Sequence, residues 1–414
     1  MRRGIRIGCS LANWDVVGIG LLVVLSVVGV WVSPATAAPA PSGQEIVFLN
    51  SAQLSGPYAE TGRDQSRGVK LAIEEFGGKV LGKKVRLIER DVPNPSEAVR
   101  KAKEAVENEG AKFIIVGTSS GVALAMMEYA KSQKVVVGAL AGADAVTGSA
   151  CNKNTFRWQV PTYGAVREVV PKIIEEYKAA TTFFTITPDY VFGHDLLRNT
   201  EEVLKEKGKT LLGNVLHPMG ETEYSQYITK AMAAKPDVVL FLNFGDDTVN
   251  ALKQAVSFGM KQLSKIGVVW SAGLPNFRAL GTQVLEDIIV GSQYEWNVDT
   301  PQSKKFVESY KKAYKDLPSM NAASAYAETK AILTAIKKAG ATDHQKVIKA
   351  LENMEYDDPT GKVFYRTCDH QAIKNYYTLR CKKQSEKKFD DDYAEIIGFS
   401  KNFLECQNTG CKMK

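Results

Sequence analysis

From Glu45 onward the chain alternates short β-branched runs with amphipathic helical segments. That alternation drives a chain toward a parallel sheet covered by helices on both faces. Residues 46–49, 85–89, 113–116 and 135–137 read as the first strands. Between them, Val69, Ala72, Ile73 and Phe76 put one apolar stripe on a helix over 62–76. Pro95 and Gly110 bound a second helix over 95–109. After Phe156-Arg157-Trp158-Gln159-Val160-Pro161 the alternation restarts, with strands expected at 182–186, 211–216, 238–242, 266–270 and 288–290. Helices at 303–315, 322–339 and 344–351 are assigned back to the first lobe, because 288–293 reads as a return crossing. From Gly361 the chain changes to strand-like pieces at 362–366, 375–381 and 393–398, and the polar run 382–392 reads as an exposed loop. The expectation is an α/β protein of two doubly wound lobes, 44–160 with 294–360 and 161–293 with 361–400, followed by a cysteine-containing tail at 401–414.

The N-terminus points to export. Arg2, Arg3 and Arg6 precede an uncharged run over 16–32, and Ala35-Thr36-Ala37 then offers the small residues a signal peptidase accepts. An uncleaved anchor would leave those small residues and Pro39 without a reason, so 1–37 is read as a signal peptide cleaved near Ala37 and the compartment as the periplasm. Cys9 precedes the apolar run and is therefore no lipid-attachment site. Processing reduces Lys+Arg from 53 to 50 and Asp+Glu from 46 to 45, a net charge of +5. Basic residues such as Lys101 and Lys103 stand beside Glu104, Glu107 and Glu109 on helices, which excludes a nucleic-acid stripe. About 375 residues exceed one hydrophobic core, hence two lobes.

Five cysteines remain, and an oxidising compartment pairs four of them. Connectivity is not readable from spacing. Because Cys151 and Cys368 each precede a segment crossing or leaving a lobe, the pairs expected are Cys151 with Cys368 and Cys406 with Cys411. The spacing of Cys406 and Cys411 fits no zinc site, and no cofactor or metal is expected.

Four stretches resemble the branched-chain amino-acid-binding family of ABC-transporter periplasmic proteins. They are Ser55-Gly56-Pro57-Tyr58-Ala59-Glu60-Thr61-Gly62, the run IIVGTSSG from Ile114 to Gly121, TITPDYVFG from Thr185 to Gly193, and RTCDHQ from Arg366 to Gln371. Their order and spacing cover roughly residues 45–379. The resemblance implies a type I periplasmic-binding fold with three hinge crossings, a small carboxylate-bearing ligand in the cleft, an ABC-transporter permease as partner, and no enzymatic activity. A monomer is expected.

By physical reasoning, ligands of open α/β sheets lie beyond the carboxyl ends of strands, where helix N-termini present unpaired N–H groups. Thr118, Ser119 and Ser120 stand there after 113–116, as carboxylate donors or, for a serine, as a helix cap; both uses share one geometry. By carry-over from the family, Tyr58 and Thr61 line the first-lobe wall, and Leu140, Ala141 and Gly142 supply backbone groups. Tyr190, Phe192 and Phe244 line the second-lobe wall. The family places an acid for the ligand ammonium after the strand at 266–270, whereas this chain has Ser271-Ala272-Gly273-Leu274. Gly142 also replaces an amine-binding hydroxyl. Asp246 or Asp247 could substitute, although helix N-capping explains both. An amine-free aryl or aliphatic acid is therefore as fitting as an α-amino acid. Closure is expected about hinges near Val160, Gln293 and Gly361.

Two other functions fit parts of the chain. Gly117-Thr118-Ser119-Ser120-Gly121 matches the nucleophile elbow of α/β-hydrolases, which would make Ser119 an esterase nucleophile. Against it, His194, His217, His344 and His370 are the only histidines, and no oxyanion-loop motif precedes the serine. A ligand-sensing receptor module of the same fold is the other alternative.

Overall fold

A computed structural model describes residues 45–117 and 119–413. The expected signal segment, with Cys9, and Thr118 lie outside the described residues. The first lobe opens with β1 (Glu45–Ala52), α1 (Ala59–Glu75), β2 (Lys79–Val80), β3 (Lys83–Asp91), α2 (Pro95–Glu109), β4 (Phe113–Gly117), α3 (Ser120–Ala130), β5 (Val136–Leu140) and β6 (Thr155–Arg157). Its sheet runs in the order β2-β3-β1-β4-β5-β6, parallel except for the β2–β3 hairpin. Strands buried on both faces carry continuous apolar runs, as Phe113-Ile114-Ile115-Val116 does. Successive side chains go to opposite cores. Phe48, Phe113 and Ile115 pack with Val69 and Ala72 of α1, whereas Val47, Leu49, Ile114 and Val116 pack with Ala98 of α2 and Val122 of α3.

The second lobe contains α4 (Thr162–Glu176), β7 (Thr182–Pro188), α5 (Val191–Glu206), β8 (Thr210–His217), α6 (Ser225–Ala233), β9 (Val238–Phe241), α7 (Asp246–Ser257), α8 (Met260–Leu263), β10 (Lys265–Val268), α9 (Leu274–Leu285) and β11 (Ile289–Ser292). The chain then returns to the first lobe through α10 (Pro301–Tyr314), α11 (Met320–Ala339) and α12 (His344–Leu351), with α11 packed on α1, β4 and β5. A small sheet of β12 (Glu355–Asp358), β13 (Gly361–Tyr365) and β14 (Ala372–Ile373) follows. Finally β15 (Tyr376–Cys381) and β16 (Ala394–Ser400) complete the second sheet, ordered β16-β15-β11-β10-β9-β7-β8. Those last two strands run antiparallel, so this sheet is mixed rather than wholly parallel.

Gly361, expected as the third crossing, instead begins β13 and pairs with Asp358 in the small sheet. Tyr365 of that strand packs edge-on against Phe156 of the first lobe. The segment that leads into the second sheet is Lys374–Asn375, between β14 and β15. A β-branched, aromatic strand such as 361–365 carries no signal telling which of two sheets it will serve.

The four cysteines expected to pair do pair, but with other partners: Cys151 bonds Cys411 and Cys368 bonds Cys406, with Cα separations of 5.6 and 6.1 Å. Cys381 remains a buried thiol. The reason is the path of the tail. After β16 it runs back over the first lobe, where the Arg366 guanidinium donates to the Leu404 carbonyl at 2.7 Å. Cys406 and Cys411, on either side of a short turn, then meet two different first-lobe cysteines.

Glu328 of α11 lies wholly inside the first lobe, where its carboxyl accepts from the Tyr365 hydroxyl at 2.9 Å. Burial pushes its pKa up from 4.5 to about 8. The unfolded chain ionises this group near pH 4.5 while the fold keeps it protonated to about 8, so the stability it contributes is full below 4.5 and declines as pH rises through that window. Glu328→Gln should flatten the decline of unfolding free energy between pH 5 and 8, by an amount on the order of a few kcal/mol, in urea titrations at a series of pH values. An unchanged slope would mean the carboxyl is ionised in the fold.

Candidate functional site

Both sheets point the carboxyl ends of their parallel strands at one cleft, and a cavity lies between them. About 440 Å³ of space between atoms lies there, part of it open to solvent at the cleft mouth. From the first lobe come Thr61 and Gln65 of α1, Ser120 at the start of α3, Leu140, Ala141 and Gly142 at the end of β5, Gln159, and Met320 and Asn321 at the start of α11. The second lobe supplies Tyr190 and Phe192 at the start of α5, Phe244 just before α7, and Trp270 just after β10. Among the described residues no charged side chain lines this wall.

Five helices thus begin at the cavity, and each presents the positive end of its dipole there. At α3 the arrangement is most explicit. Ser119 is the N-cap, its hydroxyl oxygen accepting from the Val122 N–H at 3.3 Å. Its carbonyl accepts from the Ala123 N–H. The N–H groups of Ser120 and Gly121 therefore have no intrahelical acceptor. Ser120 Oγ accepts from the Ala143 N–H at 3.2 Å, which fixes the hydroxyl at the wall and leaves its own proton to give.

Aromatic rings make the second-lobe side. Phe192 meets Trp270 edge-on at 5.2 Å and Phe244 at 6.4 Å, and Tyr190 stacks on Phe192 at 5.8 Å. Burial, and secondarily Asp247, drives the Tyr190 phenol far above its ordinary pKa, so it stays a proton donor. The two walls touch. A Cβ on Gly142 would lie 2.7 Å from the Trp270 ring and 2.8 Å from that of Phe192, so only glycine fits there. Across the cleft the Tyr58 hydroxyl donates to Asp247 Oδ2 at 3.1 Å, and Asp247 also accepts from the Gly220 N–H at 3.0 Å. Gly245, at φ +60°, brings its backbone against the Tyr58 ring. At the mouth, Arg278 of α9 spans Asp316 of the first lobe and Asp391 of the second at 2.7 and 2.6 Å.

Of the residues singled out in the sequence, Thr61, Ser120, Leu140, Ala141, Gly142, Tyr190, Phe192 and Phe244 line this cavity. Ser119 caps α3 instead, and Tyr58 spans the cleft beside it. Asp246 and Asp247 occupy the first turn of α7. Of the RTCDHQ stretch, Gln371 serves the hinge, donating to the Gln159 carbonyl at 2.9 Å and accepting from Arg157 at 2.7 Å, while Arg366 pairs with Asp369 and holds the tail. Gln65, Gln159, Trp270, Met320 and Asn321 escaped the sequence reading. Gln65 shares a helix face with Thr61, Trp270 follows a strand end, and the capping serine Ser319 marks the start of α11; each signal was present but common to many non-site residues.

Among the described residues the four histidines have their partners away from Ser119. His194 meets Asp189 at 3.0 Å, His217 contacts Asn243 at 3.0 Å, His344 is nearest Asp343 at 4.0 Å, and His370 contacts the Thr155 carbonyl at 3.1 Å. The hydrolase arrangement is not assembled.

Two α/β lobes with a lined cavity between them are the architecture of a solute-binding protein. A family profile described as periplasmic binding protein matches residues 47–387, and the chain belongs to that family, the periplasmic solute-binding components of ABC transporters. Among solved structures, an amino acid ABC transporter substrate-binding protein from Pseudomonas fluorescens is 39% identical with a TM-score of 0.85, over 90% of this chain and 99% of that one. A periplasmic binding protein from Burkholderia mallei is 29% identical with a TM-score of 0.84 over the same shares. A Leu/Ile/Val-binding protein homolog 7 of Brucella suis is 28% identical over 342 residues, 79% of this chain and 85% of that protein.

Ser119→Ala should lower the stability of the fold by about 1 kcal/mol, the usual cost of an N-cap, whereas Ser119→Asp should retain it. Urea unfolding checks both; equal stability of Ser119→Ala and the parent would remove Ser119 from the cap role.

Proposed function

We propose that this protein, exported to the periplasm, captures a small amine-free carboxylic acid with an apolar body and delivers it to an ABC-transporter permease. The single observation that carries the ligand class is the wall itself: helix N-termini converge on it, aromatic rings cover one side, and among the described residues no charged side chain lines it. A carboxylate suits such a wall, because unpaired N–H groups at the start of α3 and the Ser120 hydroxyl give charge-assisted hydrogen bonds. An ammonium does not. Burying it without a counter-charge costs several kcal/mol, and a ring face returns about 0.5 to 2 kcal/mol. Asp247, the buried acid in the first turn of α7 beside the aromatic wall, already accepts from Tyr58 and Gly220. The aromatic wall favours a flat or branched apolar body, held by edge and face contacts.

The neighbour from Pseudomonas fluorescens is described as serving amino acid transport, which makes an α-amino acid the competing reading. Matched pairs that differ by the amine alone decide between them: 3-phenylpropanoate against L-phenylalanine, and 4-methylpentanoate against L-leucine. Calorimetric titration should find the amine-free member of a pair bound at least about tenfold tighter, and Ser120→Ala should weaken that binding about tenfold, the effect of one charge-assisted hydrogen bond. Tighter binding of the amino acids, or no binding of either class, would overturn the reading.

A further inference from the structure

The first sheet has α3 on one face and α11 on the other, since alternate residues of β1 and β4 point into the two separate cores. Both helices nevertheless begin at the same cavity. Ser120 and Asn321 therefore approach a solute from opposite faces of the sheet, as two ends of one site rather than one cluster. Asn321 is 9% exposed, lies on the cavity wall, and its Nδ2 has no hydrogen-bond partner among the described residues. A buried amide donor left unpaired costs about 1 to 3 kcal/mol. The cap of α11 is the Ser319 Oγ, which accepts from the Ala322 N–H at 3.3 Å, so the helix makes no structural use of the Asn321 amide. Met320, beside it, approaches Gly273 of the second lobe, where a Cβ would lie 3.8 Å from the Met320 nitrogen.

We infer that Asn321 is a specificity-determining residue, donating its amide N–H to a second acceptor oxygen at the end of the solute opposite the carboxylate. The inference rests on the acid-binding reading of the cavity and narrows it to acids that carry a distal hydroxyl, keto or carboxylate oxygen. A ligand without that oxygen leaves the amide unpaired under the closed lobes, and discrimination by a buried polar group left without a partner is stronger than discrimination by shape.

The test compares 3-phenylpropanoate, 3-(4-hydroxyphenyl)propanoate and 3-(4-carboxyphenyl)propanoate on the parent protein, Asn321→Ala and Asn321→Asp. The parent should bind at least one of the two oxygen-bearing acids about tenfold tighter than 3-phenylpropanoate, and the two arms tell a hydroxyl from a carboxylate partner. Both variants should lose that advantage, and Asn321→Ala should melt no lower than the parent, because it removes a buried donor that has no partner in the fold. An advantage that survives in Asn321→Asp would show the amide oxygen, not the N–H, facing the solute, and would overturn the inference. So would an advantage that survives in Asn321→Ala, or parent protein that binds all three acids equally. If the parent binds none of the acids, the acid-binding reading itself falls and takes this inference with it, which separates the two failures.

Discussion

The amide of Gln293 grips the backbone of Val160 from both sides, accepting from its N–H and donating to its carbonyl, each at 2.9 Å. Lys374 completes the tie by donating to the carbonyl and side chain of Gln293 at 3.1 and 3.0 Å. One residue from each crossing thus meets at a single buried knot, so the three segments can bend together while neither core is disturbed. The knot extends into the first lobe. Lys374 Nζ sits 4.0 Å over the Trp158 ring, and Trp158 donates its indole N–H to Asp358. Burial lowers the pKa of Lys374 and raises that of Asp358, with each charge countering the other's desolvation. Removing either residue would leave the other buried group without that compensation.

Everything ahead of the hinge follows from where it places the walls. Gly142, Phe192 and Trp270 meet closely enough that the cavity has one lining rather than two facing surfaces. Charge is kept to the periphery, in the Arg278 bridge at the mouth and in Asp144, which joins Arg198 and Asn199 at 2.8 Å each near the hinge. Inside, selectivity falls to hydrogen-bond direction and ring shape, which act strongly where water is excluded.

Much of this was legible in the residues. Strand-and-helix alternation carried the two lobes, and the 95–109 helix with its Pro95 and Gly110 limits forms as expected. Strand ends followed by Ser, Gly or aromatic residues marked most of the wall. Contacts between segments distant in sequence were not legible. Cys151 and Cys411 are separated by 260 residues and Asn321 reaches the cavity from a helix that returns late, so neither has a local signature. Strand 361–365 has the composition of a sheet member without naming its sheet. Ser119 and Ser120 illustrate the limit at finer scale: adjacent serines at one strand end divide the capping and wall positions by backbone geometry alone.

A solute touching both walls is expected to draw the lobes together about the Gln293 knot, so that a permease reads occupancy from lobe spacing. Small-angle scattering of the parent protein with and without saturating 3-phenylpropanoate measures it directly. A smaller radius of gyration and shorter inter-lobe distances are expected in the presence of the acid. Binding that raises the melting temperature while leaving both unchanged would contradict it.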